Sequence, residues 1–127
     1  MNLLLDTHAL IWWFEGSTTL SKRASSTIGN PDNVILISAV VGWELAIKFK
    51  TGKFKTTSLV QDLDGIVQRE GFAQLPISLD HAVRAGLLPM HHKDLFDRLL
   101  IAQAQALNAP IVSADVHFDH YGVQRLW

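Results

Sequence analysis

Cysteine is absent from the chain, so no disulfide framework, thiolate metal site or cysteine nucleophile is available, and a reducing compartment is the natural setting. No apolar run approaches the roughly 18 residues that a membrane span needs. The amino terminus carries no basic segment of the secretory kind. A cytoplasmic protein without a membrane contact is expected. A charge excess of one sign is missing as well. The formal net charge is -1, so the molecule as a whole does not attract nucleic acid, and any such binding requires a local patch. Internal repeats, low-complexity tracts and interdomain linkers are also lacking. What is present is 127 residues, the length of one domain over 1–127, with 48% hydrophobic and 18% charged residues. That lean surface charge leaves apolar area for a partner chain.

Short apolar runs alternate with denser, helix-like segments. "NLLL" at 2–5 suits a strand buried on both faces, and "THALIWWF" after Asp6 is too densely apolar to alternate, so it reads as a helix. A short helix is expected around Lys22 to Ile28, before the turn residues Gly29, Asn30 and Pro31. "VILI" at 34–37 is a second strand, with Ser38 as N-cap of a helix over 39–50. "SLVQDLDGIVQREG" predicts one helix, with Ser58 and Gln61 in capping-box spacing and Gly71 as its stop. "FAQLPI" predicts a short strand, and Ser78 caps the helix "LDHAVRAG". A loop then leads to a helix over 96–108, with Asp94 as its cap. "APIVSAD" predicts a strand, and "GVQRLW" a last edge strand. Strands alternating with helices indicate an α/β sandwich with a mostly parallel sheet and helices on both faces.

In open α/β sheets, functional groups collect beyond the carboxyl ends of the strands. Asp6 follows one predicted strand there and Asp115 follows another. Glu44 lies in the second turn of the helix after "VILI", and Asp97 in the first turn of the 96–108 helix, where the helix dipole favours a negative charge. These acids lie 38, 53 and 18 residues apart, so only folding can bring them together. A single aspartate after a strand commonly does no more than cap a helix or begin a turn. Several crowded carboxylates, however, repel one another unless a cation compensates, and oxygen clusters suit Mg²⁺ or Mn²⁺. Such ions activate water and neutralise charge at a phosphodiester.

The blocks "LLLDTHALIWW", "ISAVVGWELAIK", "PMHHKDLFDRLLIAQA" and "IVSAD…F…YGV", in this order, resemble the motifs of PIN-domain ribonucleases, specifically the VapC-type toxins of toxin–antitoxin pairs. The resemblance covers essentially the whole chain and implies a PIN-like three-layer α/β/α sandwich. It implies that Asp6, Glu44, Asp97 and Asp115 form the acidic site of a Mg²⁺- or Mn²⁺-dependent endoribonuclease. It matches Thr7, Ser38 and Ser113 to small hydroxyl positions around that site, and Arg98 to the arginine after the third acid; Ser38, Ser113 or Arg98 would position ligands or the scissile phosphate. Leu95 stands where relatives commonly carry proline, and Ser113 where threonine is more common. The resemblance further implies a homodimer, held inactive by a small cognate antitoxin through which the complex binds operator DNA.

"KFKTGKFK" at 48–55 sets lysines among two phenylalanines. Either it is an RNA-binding patch in which Lys48 and Lys50 hold the backbone and an aromatic ring stacks a base, or the lysines favour a helix C-terminus and solvate the loop. Trp12, Trp13 and Trp43 read as core or interface packing. His91 and His92 adjoin Asp94 and Asp97, and "DVHFDH" adds His117 and His120, which raises a zinc hydrolase. Neighbouring histidines diverge on a regular element, and H-E-x-x-H spacing is absent, so His91 or His92 is kept as an orienting group and His92 as an RNA contact. A phosphoaspartate phosphatase of the haloacid dehalogenase type would need a second aspartate where His8 stands. The competing reading from another class is a catalytically silent PIN-like module whose carboxylates attract a basic peptide.

Overall fold

The computed structural model describes residues 1–127. The first strand, β1 (Asn2–Leu5), lies at the centre of the sheet, and Leu3, Leu4 and Leu5 are fully buried because helices cover both faces. Each buried leucine contributes roughly 2 kcal/mol of transfer free energy. Helix α1 (Thr7–Glu15) follows at once and stops at Gly16, whose φ of 63° is the left-handed conformation that glycine adopts without cost. Helix α2 (Lys22–Gly29), capped by Ser21, leads into β2 (Val34–Ser38) and then α3 (Ala39–Lys50), where Ser38 accepts the Val40 N–H.

The predicted single helix after residue 57 is divided. α4 (Thr57–Gln61) and α5 (Leu63–Arg69) meet at Asp62, whose ψ of 39° breaks the helical run. The Asp62 carboxylate reaches forward to Arg69 at 2.9 Å and lies directly over Gly65, where a Cβ would push the carboxylate aside. Ser58 is therefore not a cap; Thr56 precedes the helix without a side-chain bond. Gly71, at φ 75°, does end the run before strand β3 (Ala73–Leu75).

Helix α6 (Leu79–Leu87) is closed by a capping box between Ser78 and His81. Helix α7 (Leu95–Leu107) starts one residue before the expected position and is capped by Asp94. The last elements are short: β4 (Ile111–Val112), a 3-10 helix (Val116–Tyr121) that the sequence did not announce, and the edge strand β5 (Arg125–Leu126). All strand pairs are parallel, in the order β3-β2-β1-β4-β5. No helix is long and apolar enough to cross a membrane.

Two aromatic expectations divide. Trp12 and Trp13 are half-buried against Trp127 and Phe72. Trp43 is 57% exposed and packs edge-on against Phe96.

Candidate metal centre

The chain builds outward from β1 to β2 and β3, then returns to add β4 and β5 on the other side, so the strand order reverses between β1 and β4. A crevice opens at the carboxyl ends of two strands at such a point. Asp6, the residue after β1, is only 7% exposed. Its Oδ1 accepts the Ala9 N–H at 2.8 Å, which caps α1, and its Oδ2 accepts the Ser113 hydroxyl at 2.5 Å from beyond β4. The same Ser113 oxygen accepts the Asp115 N–H at 2.9 Å, so one hydroxyl ties the two strand ends together. Asp6 is thus both a helix cap and a group at the crevice.

The other acids arrive on helices. Glu44 is buried on α3, where Thr7 Oγ1 donates to its Oε1 at 2.5 Å and Lys48 Nζ stands 3.6 Å from Oε2. Asp97 lies in the first turn of α7, its N–H held by the Asp94 cap at 3.1 Å and its Oδ2 2.7 Å from His92 Nε2. Asp115 accepts the His117 N–H at 2.9 Å, with His117 Nδ1 at 2.7 Å. Asp6, His8, Trp12, Ala114 and Asp115 line an open depression of about 320 Å³.

Burial pushes Asp97 up to about 6; the nearby charges of Asp94 and Glu44 add to this, and the His92 hydrogen bond opposes it. Asp6 is raised for the same leading reason, against its bonds from Ser113 and Ala9 and with Glu44 adding to the rise. Asp115 goes the other way: burial would raise it, but the His117 backbone and ring bonds, with the charges of His117 and His92, hold it below the usual carboxylate value. Glu44 acts on both Asp6 and Asp97, which links the two through one carboxylate. Oxygen donors in this number, with one lysine among them, fit a hard divalent ion. His92, Asp97 and Asp115 also each offer a ligand atom within 4.8 Å of the others.

A family model for the PIN domain matches residues 3–124. The chain belongs to the PIN-domain family. Three solved structures share the fold of this PIN domain. VapBC2 from Rickettsia felis, bound to a DNA fragment from its promoter, superimposes with a TM-score of 0.71 at 21% identity over 98% of this chain and 97% of that one. VapBC-1 from nontypeable Haemophilus influenzae gives 0.67 at 18% identity, over 98% and 96%. FitAcB from Neisseria gonorrhoeae gives 0.64 at 15% identity, over 97% and 95%. A search of curated proteins by sequence found no match.

Some residues that the sequence suggested are engaged elsewhere in this PIN domain. Arg98 is 4% exposed, and its guanidinium donates to the carbonyls of Ala85, Leu88, Pro89 and His92 at 2.9–3.2 Å. A buried cation needs such acceptors, and with these filled it has no hand for a phosphate. Its work is to hold the loop after α6. Ser38 is likewise committed, accepting from Val40 and donating to Gln103 Oε1 at 2.5 Å, with no bond to any of the four acids. In the basic patch, Phe54 is buried and offers no free face to a base, while Phe49 is partly buried against the core. Lys48 is paired to Glu44, while Lys50 is exposed. Two residues went unnoticed. Gln103, fully buried, joins Ser38 to the Pro76 carbonyl, and Tyr121 fixes the His92 loop; only the "YGV" block hinted at the second.

Proposed function

We propose that this PIN domain is a divalent-cation-dependent endoribonuclease, the toxin of a toxin–antitoxin pair, which hydrolyses RNA phosphodiester bonds at Asp6, Glu44, Asp97 and Asp115. The observation that supports the reading is that buried Asp6 and Glu44 and half-buried Asp97, from the end of β1, α3 and α7, are electrostatically linked through Glu44 near the sheet's reversal point, with one lysine on Glu44. Asp6, Glu44, Asp97 and Asp115 would hold Mg²⁺ or Mn²⁺, which when bound neutralises charge at the scissile phosphate and makes water more acidic.

The chain's own groups prepare the rest. Ser113 and the Ala9 N–H fix both oxygens of Asp6, and Thr7 fixes one oxygen of Glu44, so the acceptors are aimed before any ligand arrives. Asp115, with its depressed pKa, is a carboxylate at neutral pH, and Asp97, near 6, sheds its proton there. The depression beside Asp6 and Asp115 is where an RNA backbone would enter. Lys50, exposed at the end of α3, would supply positive charge to an RNA backbone, and His92 orients Asp97.

The partners follow from the toxin reading. They are a second copy of the chain, a cognate antitoxin that covers the acidic crevice, and operator DNA reached through that antitoxin, all in the cytoplasm. Leu79, Val83 and Leu87 form an exposed apolar row along α6 that suits a protein contact. The test is incubation of the purified chain with a structured RNA pool in Mg²⁺, Mn²⁺ or EDTA. Cleavage restricted to the metal lanes supports the nuclease; absence of both cleavage and metal binding would leave the silent interaction module.

A further inference from the structure

In the four-acid reading the histidines of "MHHKD" and "DVHFDH" orient acids at most and none is a ligand. The two adjacent ones diverge. His91 packs edge-on against Tyr121 at 5.4 Å and lies 5.8 Å from His120, away from the acids. His92 turns the other way and stacks nearly parallel on His117, with ring centroids 5.0 Å apart and planes 9° from parallel.

The backbone of His92 is pinned. Its N–H donates to Tyr121 Oη at 2.7 Å, that hydroxyl donates to the Pro89 carbonyl at 2.9 Å, and Arg98 grips the His92 carbonyl at 3.2 Å. With the backbone clamped and one ring face stacked on His117, Nε2 is left aimed at Asp97. His92, Asp97 and Asp115 present ligand atoms within 4.8 Å of one another, a spread close to that across a single coordination sphere. Asp6 and Glu44 fall outside this group. The nearby cations are occupied, Lys48 by Glu44 and Arg98 by backbone carbonyls. Asp97 therefore feels the charge of Glu44 and also belongs to a mixed nitrogen–oxygen set.

We infer that His92, Asp97 and Asp115 form a mixed-donor cation subsite that holds Mn²⁺ and the later first-row divalent ions in preference to Mg²⁺. The inference rests on the reading of the acids as cation ligands and adds the donor that sets cation choice. Imidazole is a natural ligand for first-row transition ions, whereas Mg²⁺ demands oxygen and gives up water reluctantly. His117 supports the ring of His92 and engages Asp115, which makes it a positioning residue.

The test loads the full chain with Mn²⁺ alone and reads nitrogen coupling by pulsed electron paramagnetic resonance, alongside calorimetric titration with Mn²⁺ and with Mg²⁺. In the wild type a ¹⁴N coupling from a bound imidazole is expected. In His92→Gln that coupling vanishes, and Mn²⁺ affinity falls about tenfold or more while Mg²⁺ affinity changes by less than about threefold. His117→Gln keeps the coupling. Far-ultraviolet circular dichroism checks that both variants fold; the clamps on residue 92 are to backbone atoms, which the substitution leaves in place. Mn²⁺ bound without nitrogen coupling, coupling lost in His117→Gln but kept in His92→Gln, or equal losses for both ions would overturn the inference and leave the nuclease reading intact. Absence of any Mn²⁺ or Mg²⁺ binding by the wild type would sink both.

Discussion

Replacing Asp97 by asparagine should stabilise the cation-free protein at neutral pH and not at acid pH. The carboxyl, ordinarily at 3.8, is pushed up to about 6 chiefly by burial, with Asp94 and Glu44 adding. Between those two values the folded state binds more protons than the unfolded state, so stability falls as pH rises through that window. Below the unfolded value the contribution is fully present, and above about 6 it is lost. The rise from 3.8 to about 6 corresponds to an upper bound of about 3 kcal/mol. The side chain is 19% exposed, which lets solvent trim that figure. Asparagine also forgoes the charge in the first turn of α7, about 0.5 kcal/mol, and part of the bond to His92, about 1 kcal/mol. A net gain of about 1 kcal/mol should remain. Urea denaturation of both proteins in EDTA, followed by tryptophan fluorescence, should show the variant ahead at pH 7.5 and level or behind at pH 4.5. Added Mn²⁺ should then raise the wild type but not the variant. A difference between the two proteins that does not change with pH would refute the assignment of a burial cost to Asp97.

Arg98→Met should cost about 3 kcal/mol, because four carbonyls lose their donor; a variant of full stability that merely binds RNA more weakly would make Arg98 a phosphate contact after all. Ser113→Ala should cost about 1–2 kcal/mol and weaken cation binding, since Asp6 and the Asp115 N–H both lose it, and unchanged cation affinity in titration would contradict that coupling. Lys50→Ala should leave thermal stability within about 0.5 kcal/mol and lower the salt dependence of RNA binding, whereas Phe54→Ala should cost about 3 kcal/mol or more through a core cavity. An unaltered salt slope in the first variant would remove Lys50 from the RNA contact, and a base-stacking defect without destabilisation in the second would show that Phe54 meets the RNA rather than the core.

Much of the site was legible because its information is local. An aspartate directly after a buried run, as at Asp6, or in the first turn after a capping aspartate, as at Asp97, keeps its place when the strand or helix forms. The α3 helix was likewise announced by its Ser38 cap and its lysine-rich end. What escaped depends on partners that only the fold supplies. Arg98 follows the third acid in sequence, yet its acceptors are carbonyls of a loop whose course the sequence does not reveal. Ser38 looked like a site hydroxyl until Gln103, 65 residues away, claimed it. Asp62 splits a helix that its neighbours would propagate, because its carboxylate turns to Arg69 over Gly65. Trp43 stays at the surface although its residue type favours burial, with Phe96 as its companion. The divergence of His91 and His92 was foreseen in general, but which of them would face Asp97 was decided by Tyr121 and the Arg98 clamp.

The most direct measurement of the central claim is the chemistry of the RNA ends made by the purified chain. Water-driven, cation-dependent hydrolysis at the carboxylates predicts fragments with 5′-phosphate and 3′-hydroxyl ends, formed with Mn²⁺ or Mg²⁺, abolished by EDTA and by Asp6→Asn. Fragments with 2′,3′-cyclic phosphate ends that persist in EDTA would mean that the 2′-hydroxyl is the nucleophile and the histidines the acid–base pair, and the four-carboxylate account would be wrong.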